Sequence, residues 1–288
     1  MSAFNEFGEL RRVALKHARD AFSAPGRSRD EWRALNFTAP PDLGLAIEQY
    51  DAFRELFRAS GVRIEELLPE PGLTLDAIYV RDASIVTPRG VVLCRMGKAA
   101  RQGEPDAQRR AFESLGVTVA GAIEAPGLIE GGDVLWFDER TVAVGRGYRT
   151  NDAGIDQLRD VLGPEVTISV VQLPHYRGPA DVFHLMSIVS PVDADAAVVY
   201  SPLMPVPFRE WLCGRGIRLI EVPGEEFDSM GTNVLAIAPR RCVMLDGNPV
   251  TRARLEAAGV RVAVYNGSEI SLKGGGGPTC LTRPLARG

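Results

Sequence analysis

Residues 133–145 read DVLWFDERTVAVG, and residues 152–163 read DAGIDQLRDVLG. In the first stretch two apolar runs flank the polar tripeptide Asp138-Glu139-Arg140, the signature of a β-hairpin. The second stretch reads as an amphipathic helix that stops at Gly163. Glycine just past a helix accepts the left-handed backbone that ends it. Hairpin, helix, glycine and a further apolar strand make one unit.

That unit recurs. ASIVTPRGVVLCR (83–95), IVSPVDADAAVVY (188–200) and NVLAIAPRRCVML (233–245) are hairpins of the same type. Helices are predicted over Glu104–Leu115, Pro207–Cys213 and Pro249–Ala258, and an earlier one carries Ile47, Tyr50, Phe53 and Phe57 at helical spacing. Each helix runs into a glycine, at 61, 116, 163, 216 and 259, so the period is 43–55 residues. Val62, Val117, Ile217 and Val260 follow four of these glycines, and β-branched residues favour a strand. The first repeat is the least regular, with RRVALK (11–16) as its one clear strand. Units of this kind cannot bury their apolar faces alone. Five of them predict one α/β domain over 1–288, closed into a ring; an open α/β sheet is the other arrangement these elements allow.

The chain is 45% hydrophobic and 24% charged, with a formal net charge of −4. No basic block marks a nucleic-acid surface, so nucleic acid is not an expected partner. No apolar run nears the ~18–20 residues of a membrane span, and MSAFNEFGELRRVALKH at the start lacks a signal-peptide pattern. The four cysteines, at 94, 213, 242 and 280, form no Cys-x-x-Cys pair and no zinc spacing with the three histidines. The expectation is a reduced, cytoplasmic protein without structural metal or cofactor.

Four polar residues stand at equivalent places in the repeats. Asp82 precedes ASIVT, Glu130 lies shortly before DVLWF, His184 precedes the strand with IVS, and Cys280 follows KGGGGPT. In a closed ring, equivalent strand ends converge on the axis. Gly274–Gly277 reads as a run without core-packing use that lets backbone approach a ligand. A free thiol titrates near ~8.5 and needs a cationic neighbour to be a nucleophile at neutral pH. His184, in DVFHLMS, reads either as a packed core residue or as a proton carrier; His17 and His175 are its rivals, the latter in a loop. Asp82 and Glu130 read either as turn carboxylates or as a pair accepting the parallel N–H groups of a planar cation. Asp133 competes with Glu130 in EGGD and is read as structural.

YVRD (79–82), LIEGGDV (128–134), RTN (149–151), FHLMS (183–187) and GGGGPTCLT (274–282), in this order, resemble the guanidino-modifying (pentein) superfamily. Within it the chain is most similar to the dimethylarginine dimethylaminohydrolases. The resemblance implies a five-bladed α/β propeller of ββαβ repeats with pseudo-five-fold symmetry. It implies Cys280 as nucleophile, His184 as acid–base, and Asp82 and Glu130 as the guanidinium clamp. It further implies Asp76 as a substrate-proximal acid, and Arg101 (in ARQGE) and Arg149 (in YRTN) as grips for an α-carboxylate. The implied reaction is hydrolysis of arginine or N-methylated arginine to citrulline through a covalent thiouronium, with no cofactor and no metal. Arginine deiminase, arginine dihydrolase, amidinotransferase and a non-catalytic binder of the same fold are the alternatives. The partner is a small guanidino substrate, and the family allows a homodimer. Three positions depart from family patterns. Arg81 stands where bacterial dimethylarginine enzymes carry Glu and deiminases often carry Arg; Met186 replaces a deiminase Asp; and Thr279 replaces a His.

Overall fold

The computed structural model describes residues 4–23, 31–181 and 183–288. Residues 1–3 and 182, within stretches quoted above, lie outside the described residues. Among the described residues, fifteen strands form five three-stranded sheets. The first sheet contains β1 (Leu10–Leu15) and β2 (Arg63–Glu66). The second is β3 (Ser84–Thr87), β4 (Gly90–Leu93) and β5 (Val119–Ala122), and the third β6 (Val134–Asp138), β7 (Thr141–Arg146) and β8 (Thr167–Gln172). The fourth is β9 (Val189–Asp193), β10 (Ala196–Val199) and β11 (Arg218–Glu221), and the fifth β12 (Val234–Ala238), β13 (Arg241–Leu245) and β14 (Arg261–Tyr265). β15 (Arg283–Arg287) completes the first sheet.

Two short helices, α1 (Ala18–Phe22) and α2 (Glu31–Ala34), precede the five repeat helices. These are α3 (Leu43–Ala59), α4 (Glu104–Ser114), α5 (Asp152–Leu162), α6 (Val206–Gly214) and α7 (Pro249–Ala257). All five helix-ending glycines have positive φ, between 67° at Gly116 and 82° at Gly259, a conformation that penalises a Cβ. No described helix is long and apolar enough to cross a membrane.

Each sheet has one antiparallel and one parallel pairing, in the order β3-β4-β5 and its equivalents. The irregular first repeat is explained by β15. The chain's last strand pairs antiparallel with β1, placing Val13 opposite Pro284 and Ala14 opposite Arg283, so the missing strand comes from the far end of the sequence.

An open sheet is excluded by the packing, because a separate apolar cluster fills each gap between neighbouring sheets. Ile85, Val134, Val144 and Leu158 join the second and third sheets, and Leu135, Val189 and Phe208 the third and fourth. Val198, Val234 and Leu255 join the fourth and fifth. Val13, Tyr50, Phe53, Leu235 and Val243 join the fifth to the first. Ala14, Val86, Phe112 and Leu285 bring the first back to the second. The result is a five-bladed α/β propeller.

Leu285 on β15 is fully buried where the ring closes. Leu285→Ala should lower stability by about 2–5 kcal/mol, the cost of a core cavity, read from the midpoint of urea unfolding. A loss below about 1 kcal/mol would show that closure by β15 contributes little.

Candidate active site

The ring brings the starts of its five axial strands together. Asp82 lies just before β3, Glu130 opens the turn 131–133 before β6, and His184 caps the turn 185–187 before β9. Asn233 directly precedes β12, and Cys280 lies just before β15. A belt of hydrogen bonds joins them around the axis. The Arg81 N–H donates to the Cys280 carbonyl (3.1 Å) and the Gly131 N–H to the Asp82 carbonyl (2.9 Å). Leu185 N–H donates to Asp133 Oδ1 at 2.9 Å, and Ser190 Oγ donates to the Thr232 carbonyl at 2.7 Å. The Thr279 N–H donates to Asn233 Oδ1 at 3.0 Å, which closes the circuit.

Inside this belt His184 Nε2 lies 2.8 Å from Glu130 Oε2, and His184 Nδ1 lies 3.8 Å from Asp82 Oδ1. All three side chains are buried. His184 and Cys280 line one cleft of about 460 Å³, together with Phe183, Met230 and Asn233. The chain crosses so closely here that side chains are excluded: a Cβ on Gly132 would stand 2.6 Å from His184 Nδ1 and 2.8 Å from Asp82 Oδ1. Gly131-Gly132 is therefore demanded by the site itself.

Three glycines of the run Gly274–Gly277 have a different cause from the one the sequence suggested. A Cβ on Gly276 would run into the Tyr79 ring, and one on Gly277 would stand 2.5 Å from Asn233. Packing against protein side chains accounts for Gly274, Gly276 and Gly277, contrary to the expectation of a run without packing use, whereas Gly275, at φ 78° with no atom near a Cβ, has the unusual backbone that glycine allows.

Charge explains how the groups are poised. Burial alone would lower the pKa of His184, but the carboxylates of Asp82, Asp133 and Glu130 outweigh it and raise it to about 9. His184 is thus an imidazolium at neutral pH. Burial also opposes ionisation of Asp82, yet His184 and Arg101 keep its pKa low; the His184 hydrogen bond does the same for Glu130. The Cys280 thiol is pushed up by burial and by Asp82, against the hydrogen bonds from Thr279 and Asn233. Asp133, fully buried, accepts from Thr150 Oγ1 (2.6 Å) and Leu185 N–H, and burial raises it to about 6. Its place is structural: it holds the turn that presents His184.

The two arginines take partners their motifs did not disclose. Arg101 Nη1 donates to Asp82 Oδ2 at 2.6 Å, and its Nε and Nη2 donate to Glu104 at 2.8 Å each. Nη2 also donates to the Tyr79 carbonyl at 2.8 Å. A buried guanidinium bonded this way supports Asp82 and has no fork to offer a substrate carboxylate. Arg149 Nη2 donates to the carbonyls of Ala180 (3.4 Å) and Asp181 (3.2 Å), and its buried Nε–H donates to no partner among the described residues. Asp76 is buried and accepts from Lys98 Nζ at 2.6 Å, a residue that sequence reasoning passed over. Arg81, the position that departs from the family pattern, is turned from the cleft toward Glu6 and the Thr279 carbonyl. His17 and His175, the rivals of His184, bond Asp51 and Tyr148 outside the site.

Asn233 was also missed. Its signal was present: NVLAIA puts Asn233 immediately before the fifth axial strand, the end at which Asp82 and His184 stand in theirs. The ligand atoms of Asp82, Glu130 and His184 lie within 4.8 Å of one another, so the trio has a donor set for a cation. Glu130 Oε2 and His184 Nε2 are already bonded together, and a metal ion would have to displace that bond. An organic cation donating to Asp82 Oδ1 would leave it intact.

A family model described as N,N dimethylarginine dimethylhydrolase, eukaryotic, matches residues 42–287. The N(G),N(G)-dimethylarginine dimethylaminohydrolase of Streptomyces coelicolor is 32% identical over 241 residues, 84% of this chain and 86% of that one. The arginine deiminase of Mycobacterium marinum is 33% identical over 210 residues, 62% of this chain and 49% of that one. The fold also superposes on a Cys-to-Ser mutant of Pseudomonas aeruginosa dimethylarginine dimethylaminohydrolase complexed with citrulline, with a TM-score of 0.74 and 24% identity over 95% of this chain and 98% of that one. With a matching family model over most of its length and the five-bladed architecture, the chain belongs to the dimethylarginine dimethylaminohydrolase family of the guanidino-modifying superfamily.

Proposed function

We propose that this hydrolase cleaves the guanidinium C–N bond of arginine or N-methylated arginine, giving citrulline and ammonia or an amine, through a thiouronium on Cys280. One observation carries the reading. Asp82 Oδ1 is buried beside His184 and accepts no hydrogen bond from the described residues, although the other oxygen is held by Arg101. A buried acceptor without a donor is costly, and a planar cation entering toward Cys280 supplies the N–H it lacks.

The chemistry follows from the poised charges. Arrival of the cation offsets the field of Asp82 and releases the thiol proton of Cys280 to solvent. The thiolate adds to the guanidinium carbon, forming the C–S bond. His184 donates a proton to the departing nitrogen and the C–N bond breaks. Glu130 holds Nε2, so Nδ1 is the ring nitrogen left to move this proton. A water then loses one proton to the neutral ring and attacks the thiouronium carbon; the C–S bond breaks to return the thiolate, and the remaining hydroxyl proton passes to solvent as the ureido C=O forms. Splitting the reaction in this way replaces one hard step with two easier ones.

A deiminase reading, with unsubstituted arginine as substrate, is supported by Arg81, because the resemblance puts Glu there in bacterial dimethylarginine enzymes. The products separate the two: ammonia from arginine, dimethylamine from dimethylarginine.

Cys280→Ser should abolish citrulline formation while leaving the far-UV circular dichroism unchanged, because a hydroxyl does not ionise near neutral pH. Turnover near that of the unaltered enzyme would remove Cys280 from the mechanism.

The two arginines should behave differently. Arg101→Lys, acting through Asp82, should slow turnover of arginine and of agmatine, which lacks the α-carboxylate, to similar extents. Arg149→Lys should weaken arginine by about 1.5–3 kcal/mol in kcat/KM, the worth of a charged hydrogen bond, and spare agmatine. Equal losses for Arg149→Lys would show that it only supports the segment around Ala180.

The raised pKa of His184 also makes a stability prediction. Its stabilising protonation is fully present below the ordinary value of about 6.5 and is lost as pH rises through about 9. The stability gap between the unaltered chain and His184→Asn, measured by urea unfolding, should shrink from neutral to strongly alkaline pH. A constant gap would mean that His184 is neutral throughout.

A further inference from the structure

We infer that Asn233 is a further catalytic residue, whose side-chain N–H donates to the Cys280 sulfur and stabilises the thiolate. This rests on Cys280 being the nucleophile, as proposed above.

The hydrogen-bond network settles which end of the amide faces the sulfur. The Thr279 backbone N–H can only donate, and it points at one atom of the Asn233 amide from 3.0 Å. The Thr279 hydroxyl approaches the same atom to 2.9 Å. That atom is therefore the oxygen, and the amide nitrogen is left facing Cys280 Sγ at 3.5 Å. An amide nitrogen in this position has no acceptor role, so its contact with sulfur is an N–H···S hydrogen bond, which strengthens as the sulfur becomes negative.

The surroundings hold this geometry. Asn233 is buried, lines the cleft with Cys280 and His184, and is anchored by its own N–H to the Met230 carbonyl at 3.0 Å. Gly277 leaves the space that the amide occupies, since a Cβ there would stand 2.5 Å from Asn233 Cγ. The other groups around the sulfur do not replace this donor. Asp82 opposes the thiolate, and the Thr279 hydroxyl, 3.8 Å from Sγ, is also within reach of Asn233 Oδ1. Asn233 thus gives the fifth blade a part in the reaction, as Asp82, Glu130, His184 and Cys280 do for the other four.

Asn233→Asp keeps the shape and the acceptor for Thr279 but turns a second carboxylate oxygen toward the sulfur. The test is the rate of alkylation of Cys280 by iodoacetamide against pH, with no substrate present. It is followed by mass spectrometry of the Cys280 peptide in the full chain carrying Cys213→Ser, because Cys213 is exposed whereas Cys94 and Cys242 are buried. The midpoint of alkylation should rise by about one pH unit or more in Asn233→Asp, and by a smaller amount in Asn233→Ala, with circular dichroism unchanged. If Asn233→Asp does not fold, the Asn233→Ala midpoint decides. An unchanged midpoint in a folded variant would overturn the inference. Loss of the parent reading would look different: Cys280→Ser would keep its turnover whatever the alkylation profile.

Discussion

The site depends on the pairing of β15 with β1. Every axial strand begins with a group that faces the centre, but the strand that follows Cys280 belongs to the same blade as residues 10–15. Until the two ends of the chain meet, the thiol has no fixed relation to Asp82, Glu130 and His184. Once they meet, the belt of hydrogen bonds from Cys280 through Asp82, Gly131, Leu185 and Thr232 to Asn233 and Thr279 is complete. The five apolar clusters between blades then hold that belt as a closed circuit, because no gap can widen without exposing buried side chains.

Within the belt, each charge is arranged to keep another in its working state. Arg101 and Glu104 support Asp82; Asp82, Asp133 and Glu130 raise the pKa of His184; and burial, with Asp82, pushes the Cys280 thiol up. In the proposed reaction the charge of the incoming substrate releases the nucleophile. A reactive thiolate in an open cleft would be exposed to oxidation, and coupling its formation to an incoming cation avoids that.

The local architecture was legible because local rules write it. Glycines at 61, 116, 163, 216 and 259 ended helices as their lack of a Cβ allows, and helix bounds read from periodicity differed from those observed by no more than a residue at each end, as at α4 and α6. The hairpins were equally visible, since alternation of apolar runs and turn residues acts over a few residues. Cys280, His184, Glu130 and Asp82 were picked out because they recur at equivalent strand starts, and a ring makes equivalent positions neighbours.

What the sequence by itself determined, then, is the repeat, the elements within it and the functional residue before four of the five axial strands. Tertiary structure alone decided who touches whom. Arg101 sits on Asp82, Lys98 answers Asp76, and the glycines before Cys280 make way for Tyr79 and Asn233. Asn233 turns its amide toward a sulfur that lies in another blade. These choices rest on contacts between segments tens to hundreds of residues apart, where a side chain's partner depends on which strand ends the closed ring brings within reach. No local pattern encodes that distance, which exists only after the last strand has docked on the first.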